Sequence, residues 1–332
     1  MASTIRDVAR RAGVSIATVS RAMREPSIVS EETLRRVHSA AAELDYSPSH
    51  LGRQLAERRH SANGIVFPDL SGPYYAEVVL GYEDVASELG RAVLILATHG
   101  RPSAPEMITR LAHRCDGLVV LGHTVVDEVL VPLAERGVPL VLAARPAVTG
   151  IDSVSAENQS TAHALVAHLA ASGARSVAFV GDPDRSPDVA ERLAGIAAGA
   201  EEAGLDLQVL PVPSMDEEAG ARVAEDLCQG SAALPDALAC ANDELALGLM
   251  TALRTRGVVV PRDVLVTGWD DIMAARYAEL TTVRQPLHDL GATAARMLDD
   301  LIEGRRTAPR HEVLPTELIV RSSSSPSKGD TQ

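Results

Sequence analysis

Apolar positions recur along this chain with two different periods. Near the N-terminus Ile5, Val8, Ala9 and Ala12 fall on one helical face, and Val19, Ala22 and Met23 on a second. Gly13 stands between them, where a tight turn needs a residue free to take positive φ. Ser15 has the hydroxyl to cap the second helix. A third helix opens at Ser30, with Glu31 and Glu32 in a first turn whose dipole favours acids, and carries Leu34, Val37, Ala41 and Leu44 as its stripe. Tyr46-Ser47-Pro48 ends it, because proline disfavours α geometry in the residue before it. A small Ala9, Gly13 and then Val19 have the spacing of a helix-turn-helix.

After Ser61 the pattern changes to short apolar runs separated by helical stretches. GIVFP (64–68), AVLIL (92–96), GLVVL (117–121) and PLVLA (139–143) read as strands, and SVAFV (176–180), LQVLPV (207–212), DALAC (236–240) and VLVTGW (264–269) as a second set. Continuous apolar strands joined by helices predict parallel sheets covered on both faces. Two groups of four predict two doubly wound lobes. The lobes are expected to meet near Asp152–Glu157 and the chain to return near Gln285. A helix from Leu287 to Gly304 and a strand from Thr316 to Val320 then complete the body. The polar tail, 323–332, reads as disordered.

Charge separates the two parts. The formal net charge is −14, yet residues 1–60 hold ten arginines against seven acids, while the remainder holds 21 basic residues against 38 acids. A basic head on an acidic body suits contact with nucleic acid through the head alone, with salt-dependent affinity. In the second helix the outward positions Ile16, Ala17, Thr18, Ser20 and Arg21 include no acid, which predicts that this helix enters the major groove of double-stranded DNA. MASTIRDVAR has no apolar signal region and no run approaches ~18 apolar residues, so a cytoplasmic chain with no membrane partner is expected. Cys115, Cys228 and Cys240 have neither metal-site nor disulfide-framework spacing, and the ten histidines no ligand spacing, so no metal and no cofactor are expected.

TIRDVARRAGVSIATVSRAM, VSEETLRRV and ELDYSPSHLGRQL together resemble the LacI/GalR family of bacterial transcriptional repressors, and the similarity runs to about Arg321. The resemblance implies a three-helix DNA-binding head (1–47), a hinge helix (48–60) and a two-lobed, periplasmic-binding-protein-like α/β core. The core would divide into 61–154 plus 286–314 and 155–285 plus 315–322, with three crossovers. It implies a homodimer that reads a pseudo-palindromic operator and wedges a leucine, here Leu55, into its centre. The implied DNA-contacting set is Ile5, Ser15, Ile16, Ala17, Thr18, Ser20, Arg21, Arg24, Ser30, Thr33, Tyr46, Ser49, Gly52 and Leu55. Gly52 departs from the family's usual alanine, at a cost to a hinge helix of ~1 kcal/mol. No heptad tail follows Arg321, which favours a dimer over a tetramer.

In open α/β sheets a ligand sits beyond the carboxyl ends of the strands. The residues that follow each predicted strand are Asp69, Ser71, Tyr74 and Tyr75; His123; Asp182, Asp188 and Arg192; Met215; Asn242; and Trp269 with Asp270. Gln285, at the expected return crossing, completes the candidate effector set. Carboxylates, an amide and a guanidinium can each bond adjacent hydroxyls, and rings can stack on a sugar face. A small polyhydroxylated effector, a sugar or sugar derivative, is therefore expected. RLAG (192–195), AND (241–243), GWDD (268–271) and PYYAE (73–77) match ligand-contacting segments of the family. Ser186 stands where purine-binding relatives have arginine, and Met215 where relatives often have an aromatic ring. The reading from another class is a sugar-binding transport protein or sugar-processing enzyme on the same two-lobed fold. The DNA-reading head opposes it, as does the lack of a nucleophile elbow or phosphate loop.

Overall fold

A computed structural model describes residues 3–24, 26–46, 60–184, 186–230 and 233–325. The chain divides into a unit ending at His60 and a larger one beginning at Ser61.

The first unit contains α1 (Ile5–Ala12), α2 (Ile16–Arg24) and α3 (Glu31–Glu43). A capping box starts α1. Thr4 N and Oγ1 both donate to Asp7 Oδ2, at 3.0 and 2.6 Å, and these bonds hold the Asp7 carboxyl below its ordinary range. Gly13, at φ 64°, ends α1 in the left-handed conformation that the turn required. Arg36 of α3 donates to the carbonyls of Ala12 and Gly13 at 2.5 and 3.2 Å, so one guanidinium closes the C-terminus of α1. Val8, Val19 and Val37, one from each helix, are fully buried and centre a small core. Ser49, Gly52 and Leu55, with the rest of the expected hinge up to residue 59, lie outside the described residues, as do residues 326–332 of the tail.

The second unit is built on two parallel sheets. The first takes β1 (Ala62–Phe67), β2 (Ala92–Ala97), β3 (Gly117–Leu121), β4 (Leu140–Ala143), β5 (Asp152–Ala156) and β11 (His311–Leu314), in the order β11-β5-β4-β3-β1-β2. The second takes β6 (Ser176–Val180), β7 (Asp206–Leu210), β8 (Ala237–Cys240) and β9 (Leu265–Thr267), in the order β7-β6-β8-β9. A short antiparallel ribbon, β10 (Thr282–Arg284) with β12 (Glu317–Ile319), is tied to the end of β9 by parallel bridges Thr267–Thr281 and Asp270–Arg284. In the first lobe α4 (Pro73–Glu88) and α12 (Leu287–Ile302) cover one face of the sheet, and α5 (Ala104–Ala112) and α6 (Asp127–Glu135) the other. The second lobe carries α7 (Gln159–Ala171), α8 (Pro187–Ala203), α9 (Glu217–Gln229), α10 (Asp243–Thr255) and the short α11 (Met273–Tyr277). The chain passes between lobes at 157–158, 285–286 and 315–316. Thr316 Oγ1 donates to the Glu157 carbonyl at 3.1 Å and lies 2.8 Å from Thr161 Oγ1, which joins two of these passages.

Two expectations need correction. The eight apolar runs are all strands, but β5, β10 and β11 were not anticipated, and β5 continues two residues past the expected boundary at 154. β5 reads Asp-Ser-Val-Ser-Ala, with no apolar run, because its buried polar groups are satisfied from far along the chain. Asp152 accepts from Arg310 N at 2.9 Å, and Ser153 Oγ lies 2.8 Å from His311 Nδ1. The tail does not loosen at 323 either. Ser323 and Ser324 are buried in a short 3-10 turn. Ser323 Oγ donates to Val266 O (2.6 Å) and accepts from Thr281 N (2.8 Å), while Ser324 Oγ donates to Thr281 Oγ1 (2.6 Å). The Ser323 hydroxyl thus serves two buried backbone groups, Val266 O in β9 and Thr281 N just before β10, and that of Ser324 the Thr281 side chain.

Helix pairs in both lobes are seated by reciprocal glycines. A Cβ on Gly81 of α4 would lie 1.9 Å from His288 O, and one on Gly291 of α12 2.0 Å from Val78 O. The same exchange joins α9 and α10, with Gly220 against Leu245 O at 2.0 Å and Gly248 against Glu217 O at 1.9 Å. The obstructing atoms are backbone, so no rotamer change relieves them. Gly81→Ala should therefore lower the melting temperature, although alanine favours a helix by up to ~1 kcal/mol. Forcing the two helices apart is expected to cost about 3 kcal/mol or more, at the upper end of overpacking penalties. A melting curve at or above the unsubstituted protein's would contradict this.

Candidate functional site

Two surfaces carry the polar chemistry, one in each unit. In the first, α2 begins beyond the Gly13 turn. Ser15 Oγ accepts from Thr18 N (3.1 Å) and lies 2.8 Å from Thr18 Oγ1, so both hydroxyls belong to the N-cap. Val19 and Ala22 turn inward and are buried. Ile16, Ala17 and Arg21 are exposed, and Thr18 and Ser20 half-buried beside them. Ile16 is 46% exposed, an apolar side chain presented to solvent on a face with no carboxylate. Ser30 and Thr33 repeat the capping pattern at α3, with Ser30 Oγ donating to Thr33 Oγ1 at 2.9 Å. Ile5 and Tyr46 are half-buried and pack on the small core.

The second surface is a cavity of about 610 Å³ between the two lobes of the larger unit. From the first lobe it is lined by Asp69, Ser71, Tyr74, Tyr75 and His123, and from the second by Asp188, Arg192, Met215, Asn242 and Asp270. Strand ends account for most of these positions. Tyr74 and Tyr75 form an edge-to-face pair with centroids 5.2 Å apart, and Tyr75 packs edge-on against Phe67 at 5.5 Å. Burial, then Asp188 and Asp270, hold the Tyr74 phenol protonated.

Arg192 is the best-fixed group. It is buried on α8, its Nε donates to Asn158 Oδ1 (3.0 Å) and its Nη1 to Ala241 O (2.6 Å). Its guanidinium carbon lies 4.8 Å over the Trp269 ring, and Nη2 is 4.0 Å from Asp270 Oδ1. Burial pushes Asp270 up to about 6, with Arg192 and then Gln285 opposing the rise. Burial likewise raises Asp188, against the pull of Arg192.

The structure places two of the expected residues away from the cavity. Trp269 and Gln285 do not line the cavity. Trp269 is 2% exposed and forms the floor beneath Arg192. Gln285 is buried behind Asp270 and donates to its Oδ1 at 2.5 Å. Between them Asp270 and Asp271 take φ of 112° and 56°, a backbone conformation that residues with a side chain rarely adopt. Asn242 does reach the cavity, but its Oδ1 caps α10 by accepting from Leu245 N (3.0 Å), and its Nδ2 donates to Met215 O (2.8 Å).

Other residues matter that sequence reading did not single out. Asn158, at the first crossing, orients Arg192, and its Nδ2 donates to Glu191 Oε2 at 3.0 Å. Glu244 lines the cavity from the first turn of α10. Asp243 is buried and ties the start of α10 to β10 and to the cap of α11, accepting from Thr282 Oγ1 (2.6 Å) and Ile272 N (2.9 Å). A Cβ at Gly268 would fall 2.2 Å from Asp243 Oδ1, so the AND and GWDD segments fit only together. Among the described residues no helix is long and apolar enough to cross a membrane.

Comparison with known proteins finds relatives along nearly the whole chain. Residues 4–49 match the family of bacterial regulatory proteins of the lacI type, and residues 166–324 match a periplasmic binding protein-like domain. The transcriptional regulator RegA of Clostridium saccharobutylicum is 32% identical over 97% of this chain and 99% of its own. The lac repressor dimer bound to operator and the anti-inducer ONPF superposes with a TM-score of 0.87 at 27% identity, over 98% of this chain and 100% of that one. The regulator CelR in complex with cellobiose does so with a TM-score of 0.71 at 29% identity, over 97% and 99%. A reading helix ahead of a two-lobed core, together with full-length similarity to these regulators, places the chain in the LacI family of bacterial regulatory proteins.

Proposed function

We propose that this DNA-binding regulator is a repressor that works as a cytoplasmic homodimer. Each head reads one half-site of a pseudo-palindromic operator, and a small polyhydroxylated effector in the interlobe cavity releases the DNA. The observation that carries the reading is the presence in one chain of an exposed, acid-free α2 face and of an interlobe cavity lined by the buried Arg192. In α2, Ile16, Ala17 and Arg21 would meet base edges, with Ser15, Thr18, Ser20, Ser30, Thr33 and Tyr46 on the phosphates and sugars flanking them. In the cavity, the carboxylates accept from effector hydroxyls, Arg192 donates, and Tyr74 and Tyr75 present rings. Effector and operator are linked reciprocally, so a ligand that favours one lobe angle alters DNA affinity through the spacing of the heads.

The test is a gel shift with DNA from the gene's own promoter region, followed by titration with salt and with sugars. A retarded complex that weakens steeply with salt and is dissolved by a cavity ligand is the expected result. Failure to shift that DNA at low salt would sink the repressor reading.

A further inference from the structure

We infer that the effector is a cationic polyol, a sugar-sized ligand carrying a protonated amine, with its ammonium held at the Glu244 side of the cavity. The inference rests on the effector reading above and adds the ligand's charge.

The cavity wall is lopsided in charge. Among the described residues Asp69, Asp182, Asp188, Asp216, Glu244 and Asp270 line it, against one buried guanidinium and the exposed His123. Arg192 serves Asp270 directly and opposes the charge of Asp188. Asp69 accepts from Ser71 N and Oγ at 2.8 and 2.6 Å, and Asp216 from Ala219 N at 2.8 Å as the cap of α9. Glu244 is served worst. It accepts one long bond from Asn242 Nδ2, at 3.4 Å, and among the described residues no cation pairs with it.

Glu244 also approaches the first lobe across the cleft. A Cβ on Gly72 would lie 2.7 Å from Glu244 Oε1, so a glycine at the start of α4 is what leaves room for the carboxylate of the second lobe. Burial, with Asp270, Glu217, Asp69 and Asp216 adding repulsion, pushes Glu244 up to about 7. A carboxylate is acceptor-only when ionised, so the wall calls for donors. A phosphorylated or carboxylated sugar would add like charge to it. A neutral polyol supplies donors but leaves the charge uncompensated. An ammonium supplies three donors and the missing cation, and the Tyr74 and Tyr75 faces are compatible with it.

The test uses the full-length protein and matched sugars in thermal-shift and calorimetric titrations at millimolar concentration. The pairs are D-glucosamine with D-glucose, D-galactosamine with D-galactose, and the glucosamine disaccharide with cellobiose. N-acetyl-D-glucosamine serves as the uncharged control of similar shape. The expected result is that at least one amine binds about tenfold or more tightly than its neutral and acetylated counterparts. Glu244→Gln, near-isosteric, should erase that preference while the protein still melts cooperatively, and Asp69→Asn should reduce it. Equal responses within every pair, no response from either member included, overturn the proposal, as does an amine preference that survives Glu244→Gln. A neutral sugar that binds as well as its amine and releases DNA overturns the charge assignment and leaves the effector cleft standing.

Discussion

Arg192→Ala should abolish the response to effector and leave operator binding within a few-fold of the unsubstituted protein. Nε and Nη1 are committed to Asn158 and Ala241, so Nη2 is the donor available to a ligand. Loss of a charge-assisted hydrogen bond of this kind costs roughly 1.5–3 kcal/mol, about 10- to 100-fold in effector affinity. The substitution also strips Asp188 and Asp270 of their counter-charge and Trp269 of its stacked cation. Removing one partner from a buried pair costs roughly 3–5 kcal/mol, so a lower melting temperature should accompany the silence. Arg192→Lys separates the two effects. A point ammonium restores the charge but cannot reach Asn158 and Ala241 while lying flat on the indole. It should recover much of the stability and little of the response. The measurements are melting curves with and without ligand and gel shifts with and without ligand. A normal ligand response in Arg192→Ala would remove this residue from the effector site.

Arg21→Ala should lose discrimination among DNA sequences while both units stay folded. Arg21 is exposed on α2, and its removal opens no cavity in the core centred on Val8, Val19 and Val37. A bidentate arginine–guanine contact is worth roughly 1–3 kcal/mol of discrimination per half-site. On a site selected from a random DNA pool, the ratio of specific to non-specific affinity should fall about tenfold or more. Binding to unrelated DNA should weaken only slightly. A purely phosphate-bound arginine would instead weaken all sequences alike and reduce the slope of affinity against salt. An unchanged ratio would exclude the base contact.

The two predictions rest on features that differ in how far they could be read from residues alone. The reading helix was legible because its information is local, with Gly13 for the turn, Ser15 for the cap and Val19 with Ala22 for the inner face. The cavity was largely legible because parallel strands deliver their following residues to one edge, which brings Asp69, His123, Arg192 and Asp270 together. Where reading failed, the determinant lay far away in the chain. β5 has no strand-like pattern because its polar groups find Arg310 and His311, more than 150 residues on. Ser323 and Ser324 look like a loose tail until Thr281 and Val266 are placed beside them. Trp269 and Asp270 could both be assigned to the cleft, but that Trp269 is buried beneath Arg192 while Asp270 lines the cavity depends on Arg192, from a helix far earlier in the chain. Glu244 was overlooked for a different reason. An acid in the first turn of a helix has an ordinary explanation in the dipole, and its contact with the far lobe depends on Gly72.

The reciprocal glycines bear on how the molecule transmits strain. Backbone seated on backbone leaves α4 with α12, and α9 with α10, no play in which to slide or tilt. Each lobe then behaves as a stiff block, and a distortion started by an occupant of the cleft is not damped within it. Under the proposed function it would be taken up as rotation at the three narrow passages, 157–158, 285–286 and 315–316, so those few residues would set the gearing between occupancy and lobe angle.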